Sequence, residues 1–319
     1  MNAPLATPPS GDAALDLRAL REDWHARKAA RLMPLLAQGP TLRGVREVLR
    51  GLAREADHIL GALWQRAGFP ESFALVGVGG YGRGELFPHS DIDVLVLMPD
   101  GTSLQSDPSL QARVEAFIGG CWDVGLEIGS SVRTVTECLE QSAADVTVQT
   151  SLLESRRVAG QATLHREFMR RFDARMDPRA FFVAKTLEMR QRHHKFEDTP
   201  YSLEPNGKES PGGLRDLQVI LWVARAAGLG RSWDELARNG LATPFEARQI
   251  KRNEALLTLI RARLHLLAGR REDRLVFDLQ TPVAEAFGDR NQMDADGRLI
   301  ERASEALMRR FYWAAKAVT

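Results

Sequence analysis

The sequence predicts an α/β unit followed by an all-helical domain. Two observations predict it. The apolar period of the first half switches from three-and-four to short branched runs, and strand signals fade beyond about residue 160. Residues 15–37 and 41–68 read as amphipathic helices. In the second, Val45, Val48, Leu49, Leu52, Ala56, Ile59, Leu60 and Leu63 share one wide apolar face. Gly39-Pro40 breaks the chain between them, Thr41 is placed to cap the second, and Gly68 and Pro70 end it. Phe73 to Val78 is a short buried strand, followed by a glycine-rich turn. Ile92 to Met98 is a second strand, closed by Pro99-Asp100-Gly101; 108–122 is helical, and Leu126 to Val135 is a third strand. Segments 161–173, 179–196, 213–228, 244–268 and 298–318 then read as helices. The aromatics Trp222, Phe245, Phe311, Tyr312 and Trp313 fall at helical spacing and are expected mostly in the core.

The chain has 319 residues, 44% of them apolar and 27% charged, which suits a soluble globular protein of two domains. The division expected is a disordered tail at 1–14, a first domain at 15–160 and a helical domain at 161–319. Net charge is +1, so a general nucleic-acid binder, which needs excess phosphate-neutralising charge, is not expected. No apolar run approaches the ~20 residues of a membrane span, and the start lacks a signal layout. Cys121 and Cys138 match no zinc or redox spacing and read as reduced packing residues. The expected compartment is the cytoplasm.

The chemistry concentrates between Val76 and Leu97. A strand delivers the chain to Gly79-Gly80, where glycine lets backbone N–H groups approach phosphate oxygens closely. Ten residues later come Ser90-Asp91-Ile92-Asp93, at the start of a strand. Alternation puts Asp91 and Asp93 on one face, ~7 Å apart. Two such carboxylates repel unless a cation lies between them, and a hard ion such as Mg²⁺ suits them. His193 and His194, adjacent on a helix, point ~100° apart and are expected to be partly solvated rather than ligands. His89 is expected to stabilise the turn.

This order of strand, Gly-Gly, ten residues, Asp-x-Asp and strand resembles the nucleotidyltransferase signature of the DNA polymerase beta superfamily. The resemblance implies an α/β nucleotidyltransferase core, a mixed sheet with helices. It also implies a third carboxylate on a following strand. Glu127, within Gly125-Leu-Glu-Ile-Gly129, is the candidate and Asp123 the competitor. More narrowly, Gly79-Gly-Tyr-Gly-Arg-Gly-Glu-Leu-Phe-Pro-His-Ser-Asp-Ile-Asp93 resembles the bacterial uridylyltransferases of the PII nitrogen-signal protein. Trp122 to Arg133, Ser151 to Gly160 and Leu203 to Asp216 resemble further stretches of that family. Position 207 is Gly where the family suggests an aliphatic residue, which would loosen that loop.

The resemblance implies Mg²⁺-dependent transfer of UMP from UTP to a tyrosine hydroxyl of PII, with Mn²⁺ as a possible substitute. Asp91, Asp93 and Glu127 would hold metal. Gly79, Gly80, Arg83, Ser90 and Lys208 would contact the nucleotide phosphates. For the loop around Gly212-Gly213 two readings stand: it closes over the nucleotide with Lys208 on phosphate, or it clasps the domains with Arg215 and Asp216 ion-paired. The family continues with a His-Asp hydrolase domain and two ACT domains. This chain has no His-Asp dipeptide, so a truncated piece or a shortened relative is expected. Two other functions remain open: an adenylyltransferase of the same superfamily, and a non-catalytic nucleotide- or PII-binding module.

Overall fold

The computed structural model describes residues 16–37 and 44–319. The tail expected at 1–14 and the break and cap at Gly39, Pro40 and Thr41 lie outside the described residues. The first part runs α1 (Leu17–Ala37), α2 (Gly44–Ala67), β1 (Ala74–Gly77), α3 (Gly79–Gly82), β2 (Ile92–Met98), α4 (Pro108–Val124), β3 (Ile128–Thr134), α5 (Val135–Ala144), α6 (Val146–Leu153) and β4 (Arg156–Gly160). The second runs α7 (Ala162–Arg175), α8 (Pro178–Lys195), α9 (Leu214–Ala226), α10 (Trp233–Arg238), α11 (Pro244–Ala268), α12 (Phe277–Ala286), β5 (Gln292–Met293), β6 (Leu299–Glu301) and α13 (Ala303–Lys316).

Local chemistry sets the boundaries. Asp107 accepts the N–H groups of Ser109 and Leu110 ahead of Pro108, which starts α4, and Gly125 ends that helix in the left-handed region at φ 87°. Thr134 with Glu137 and Thr243 with Glu246 form capping boxes that start α5 and α11.

The four-stranded sheet has the order β3-β2-β1-β4. β1 is antiparallel to β2 and β4, and β2 is parallel to β3 across the α4 crossover. The period of two divides the core. Leu75, Ile92, Val94 and Val96 pack toward α1, α2 and α4, in a cluster that continues into Leu257, Ile260 and Phe311 of the helical part. Ala74, Val76, Leu95 and Leu97 pack toward α5, α6 and α7, with Phe181 and Trp222 beyond them. Each fully buried Leu or Val contributes about 1.5–3 kcal/mol. Asp93 lies on the second face, in line with Leu95 and Leu97.

The mixed sheet followed by helices is the predicted fold class. Several elements differ from expectation. The helix read at 298–318 begins only at Ala303, because Leu299–Glu301 pairs with Gln292–Met293 around Gly297, at φ 75°. The helical part therefore carries a small hairpin. Phe245 and Trp313 are 61% and 71% exposed rather than core. Trp313 falls off the buried stripe of Leu307, Phe311 and Ala314, and Phe245 stands in the first turn of α11. Cys121 and Cys138 are free and buried, and burial pushes both thiols up to about 12. Among the described residues no helix is long and apolar enough to cross a membrane.

Candidate active site

The turn after β1 is pinned from below. Tyr81 is 1% exposed; its hydroxyl donates to Asp57, and Arg156 grips Asp57 at 2.8 and 2.9 Å while its guanidinium lies 5.2 Å from the Tyr81 ring centre. Burial, then the Asp57 charge, holds the Tyr81 hydroxyl proton in place far above the ordinary phenol range. Gly79 adopts φ 56°, and a Cβ there would stand 3.4 Å from Asp93 Oδ2 and Ser151 Oγ. The turn thus brings backbone against the Asp93 carboxylate.

A cleft of about 290 Å³ opens above this turn. It is lined by Gly79, Gly80, Arg83, Ser90, Asp91, Asp93 and Lys208, seven of the eight residues expected at the site. The eighth, Glu127, is not brought in. It precedes β3, with its carbonyl accepting the Ile92 N–H at 2.9 Å. The pairing of Asp93 with Gly129 would set Glu127 abreast of Asp91, yet its side chain lines a small neighbouring pocket with Lys28, His89 and Ser90. Asp123, the competitor, lines a separate groove with Leu17 and Leu63. Among the described residues no group of three His, Cys, Asp or Glu is placed to hold a metal.

Asp91 and Asp93 nonetheless fit a hard divalent cation by the chemistry of their oxygens. Burial, then repulsion from Asp91, holds the Asp93 carboxyl above its usual range. A cation between them would relieve both effects.

The partners of several cleft groups were not named from the sequence. Arg83 pairs with the 5%-exposed Glu154 across 71 positions. Lys185, 2% exposed, pairs with Glu188 at 2.7 Å and stands 4.7 Å from the Trp222 ring centre. Arg271 Nη1 meets Asp91 Oδ2 at 2.9 Å across 180 positions. Arg83 with Glu154 and Arg271 with Asp91 join residues far apart in the chain, so no local pattern announces them; Lys185 and Glu188 are three apart on α8, and only the packing of that helix marks them as cleft groups.

The 206–213 loop is tightly built. Asn206 Oδ1 accepts the N–H groups of Lys208 and Glu209 at 3.0 and 2.8 Å, and Gly207 N–H donates to the Asp273 carbonyl at 2.8 Å. Gly207 therefore does not loosen it. The Gly212 N–H goes to Asp216 Oδ2 at 2.7 Å, and those of Leu214 and Arg215 go to the Gly207 and Lys208 carbonyls. Those donors are spent within the loop and are not free for an anion. Asp216 pairs with Arg192 at 2.5 Å and His193 at 2.9 Å, while Arg215 pairs with Glu209 at 3.1 Å and faces the cleft. Arg215 and Asp216 are thus separate. His194 is exposed and His193 is structural.

A buried polar hub ties the Asp91 loop to the helical part. The fully buried His265 takes the His89 N–H on Nδ1 at 3.3 Å and faces Asp273 Oδ1 at 3.2 Å; Arg261 Nε meets the same oxygen at 2.5 Å and stacks 3.9 Å from the Phe87 ring centre. Burial works to raise the Asp273 carboxyl, but His265 and Arg261 override it and hold it far below the usual carboxylate range. Because the folded value is depressed, this stabilisation is present above the unfolded value of about 3.9 and is lost as pH falls through the folded one. Asp273→Asn is expected to cost about 3–5 kcal/mol at neutral pH, since it leaves Arg261 buried without its anion. Urea unfolding checks this, and the deficit should narrow below about pH 4.

Comparison with known proteins identifies two families and several relatives. The family described as Nucleotidyltransferase domain matches residues 59–151, and GlnD PII-uridylyltransferase matches residues 180–319. Nucleotidyltransferase domains generally work with a divalent metal. The bifunctional uridylyltransferase/uridylyl-removing enzymes of Burkholderia thailandensis, Burkholderia mallei and Burkholderia pseudomallei are each 56% identical over 319 residues, which is 100% of this chain and 35% of theirs. The chain thus spans about a third of the length of these curated relatives. Over its whole length, the chain resembles part of the bifunctional uridylyltransferase/uridylyl-removing enzymes, with a nucleotidyltransferase domain ahead of a PII-uridylyltransferase segment.

Proposed function

We propose that this chain transfers UMP from UTP to a tyrosine hydroxyl of the PII signal protein and releases pyrophosphate. The observation that carries the reading is the cleft itself: Asp91 and Asp93 face the Gly79-Gly80 turn, with Arg83, Lys208, Arg215 and Arg271 around them. A carboxylate pair beside several cations suits a metal-bound triphosphate.

Asp91 and Asp93 would hold Mg²⁺, with Mn²⁺ as its substitute; Glu127, abreast of Asp91 but lining the neighbouring pocket, would have to turn its side chain into the cleft to join them as the third carboxylate. The ion, when bound, would offset triphosphate charge and lower the pKa of the attacking hydroxyl, ordinarily near 10. The tyrosine oxygen attacks the α-phosphorus. The bond from that phosphorus to the bridging oxygen breaks, and pyrophosphate leaves with its electron pair. Gly79 and Gly80 N–H groups and the Ser90 hydroxyl hold phosphate oxygens, Arg83 offsets the charge that develops, and Glu127, once turned into the cleft, would receive the tyrosine proton. The division into 15–160 and 161–319 belongs to the same reading: the first part carries the carboxylates, the second supplies Lys208. The proposal places the chain in the cytoplasm, without a membrane or nucleic-acid partner.

Label transfer from radiolabelled UTP to purified PII tests this, with ATP and EDTA in parallel. UTP-dependent, EDTA-sensitive labelling is expected. Labelling from ATP instead would make it an adenylyltransferase, and the absence of both labelling and UTP binding would defeat the assignment.

Lys208 supplies a pH test. Burial chiefly, then the Arg261 charge, brings its ammonium down to about 8. Its charge is therefore full well below that value and is lost as pH rises through it. A bound phosphate would restore the proton, so nucleotide binding should take up a proton near pH 8 and weaken above it. Calorimetry in buffers of different ionisation enthalpy reads this. Lys208→Met should abolish the uptake and weaken UTP about 10–100-fold, the scale of one charge-assisted hydrogen bond.

A further inference from the structure

We propose that Arg271 is an exchangeable placeholder: it neutralises Asp91 until a divalent cation arrives, then turns its guanidinium to the nucleotide phosphates. The inference rests on the metal reading of Asp91 and Asp93. The other cleft cations have carboxylates of their own, Arg83 with Glu154, Lys185 with Glu188 and Arg215 with Glu209. Arg271 has instead taken a proposed metal ligand, at 2.9 Å. A cation cannot use that Asp91 oxygen while the pair persists.

The position is built to hold and to release. Two residues along, Asp273 is fixed by Arg261 and His265, and its carbonyl accepts the Gly207 N–H. Leu275 N–H donates to the Pro205 carbonyl at 2.9 Å, and Arg274 Nε to the Glu204 carbonyl at 3.1 Å. The backbone that carries Arg271 is therefore anchored beside the cleft. Its side chain is not: the Arg271 and Asp91 side chains are 51% and 48% exposed. An exposed ion pair is weak, so a divalent ion can displace it. The freed guanidinium stays beside the cleft, where its planar fork suits a phosphate. Metal and nucleotide then favour each other: the metal releases Arg271, and the nucleotide captures it.

The test measures metal alone and nucleotide separately. Mn²⁺ binding is read by electron paramagnetic resonance on wild type, Arg271→Ala, Arg271→Lys and Asp91→Asn. A non-hydrolysable UTP analogue is then titrated at saturating Mg²⁺. Arg271→Ala should bind Mn²⁺ about two- to fivefold more tightly without nucleotide, the scale of an exposed pair. It should bind the analogue about tenfold more weakly with metal present. Arg271→Lys should fall between on both axes. A merely structural arginine would not tighten metal binding when removed. If wild type binds Mn²⁺ more tightly than Asp91→Asn but Arg271→Ala leaves that affinity unchanged or lower, the placeholder is wrong. If wild type and Asp91→Asn bind alike, the metal reading itself fails.

Discussion

Asp91→Asn and Asp93→Asn are each expected to lower UMP transfer by at least about a thousandfold, or about 4 kcal/mol in the barrier. Both replacements keep shape and remove one charged oxygen ligand. The fold should not suffer in proportion. Asp91 loses one exposed pair with Arg271, worth no more than about 1 kcal/mol. Asp93 is the sharper case. Burial and the Asp91 charge both oppose its ionisation, so an amide there should leave the melting temperature unchanged or higher. Transfer rate and thermal melts therefore move apart: activity collapses while stability holds or rises. Near-native turnover in either variant would remove the metal from this site. A variant that both melts early and loses activity would instead make the residue structural. Glu127→Gln belongs in the same series, because its side chain lines the neighbouring pocket rather than the cleft.

What the sequence made legible follows from the range of the interactions involved. β1 and β2 were readable because their apolar runs are local and their flanks carry turn residues. Asp91 and Asp93 shared a face by alternation alone, and the cleft holds both. β4 was not readable: Arg156–Gly160 has two charges in five residues, and only the edge pairing with β1 makes it a strand. α5 and α6 were missed because Asp145 closes one helix and caps the next, which interrupts any single period. The hub of His89, Arg261, His265 and Asp273 joins groups up to 184 positions apart, so no window contains it. Glu127 shows the limit of alternation. The register sets it abreast of Asp91, but it stands one residue before β3 begins and lines the neighbouring pocket instead of the cleft.

The glycines of the turn look alike in sequence, and the structure separates them into two kinds with opposite expected phenotypes. A Cβ on Gly82 would stand 2.1 Å from the Glu154 carbonyl oxygen and 2.9 Å from that of Gly77. Both obstacles are backbone, one closing α6 and one ending β1, and neither can swing aside as a side chain would. Gly82→Ala must push these elements apart and should cost more than the ~1–3 kcal/mol of ordinary overpacking. Gly79→Ala meets only side-chain oxygens at 3.4 Å, and its φ of 56° adds left-handed strain of about 1–2 kcal/mol. Its new methyl, however, occupies the space between the turn and Asp93, where phosphate and metal are proposed to meet. Gly82→Ala is thus expected to show its largest loss in urea unfolding, and Gly79→Ala in UTP binding by a well-folded chain. The opposite pattern would mean that Gly79 closes a plain tight turn and that phosphate is held elsewhere in the cleft.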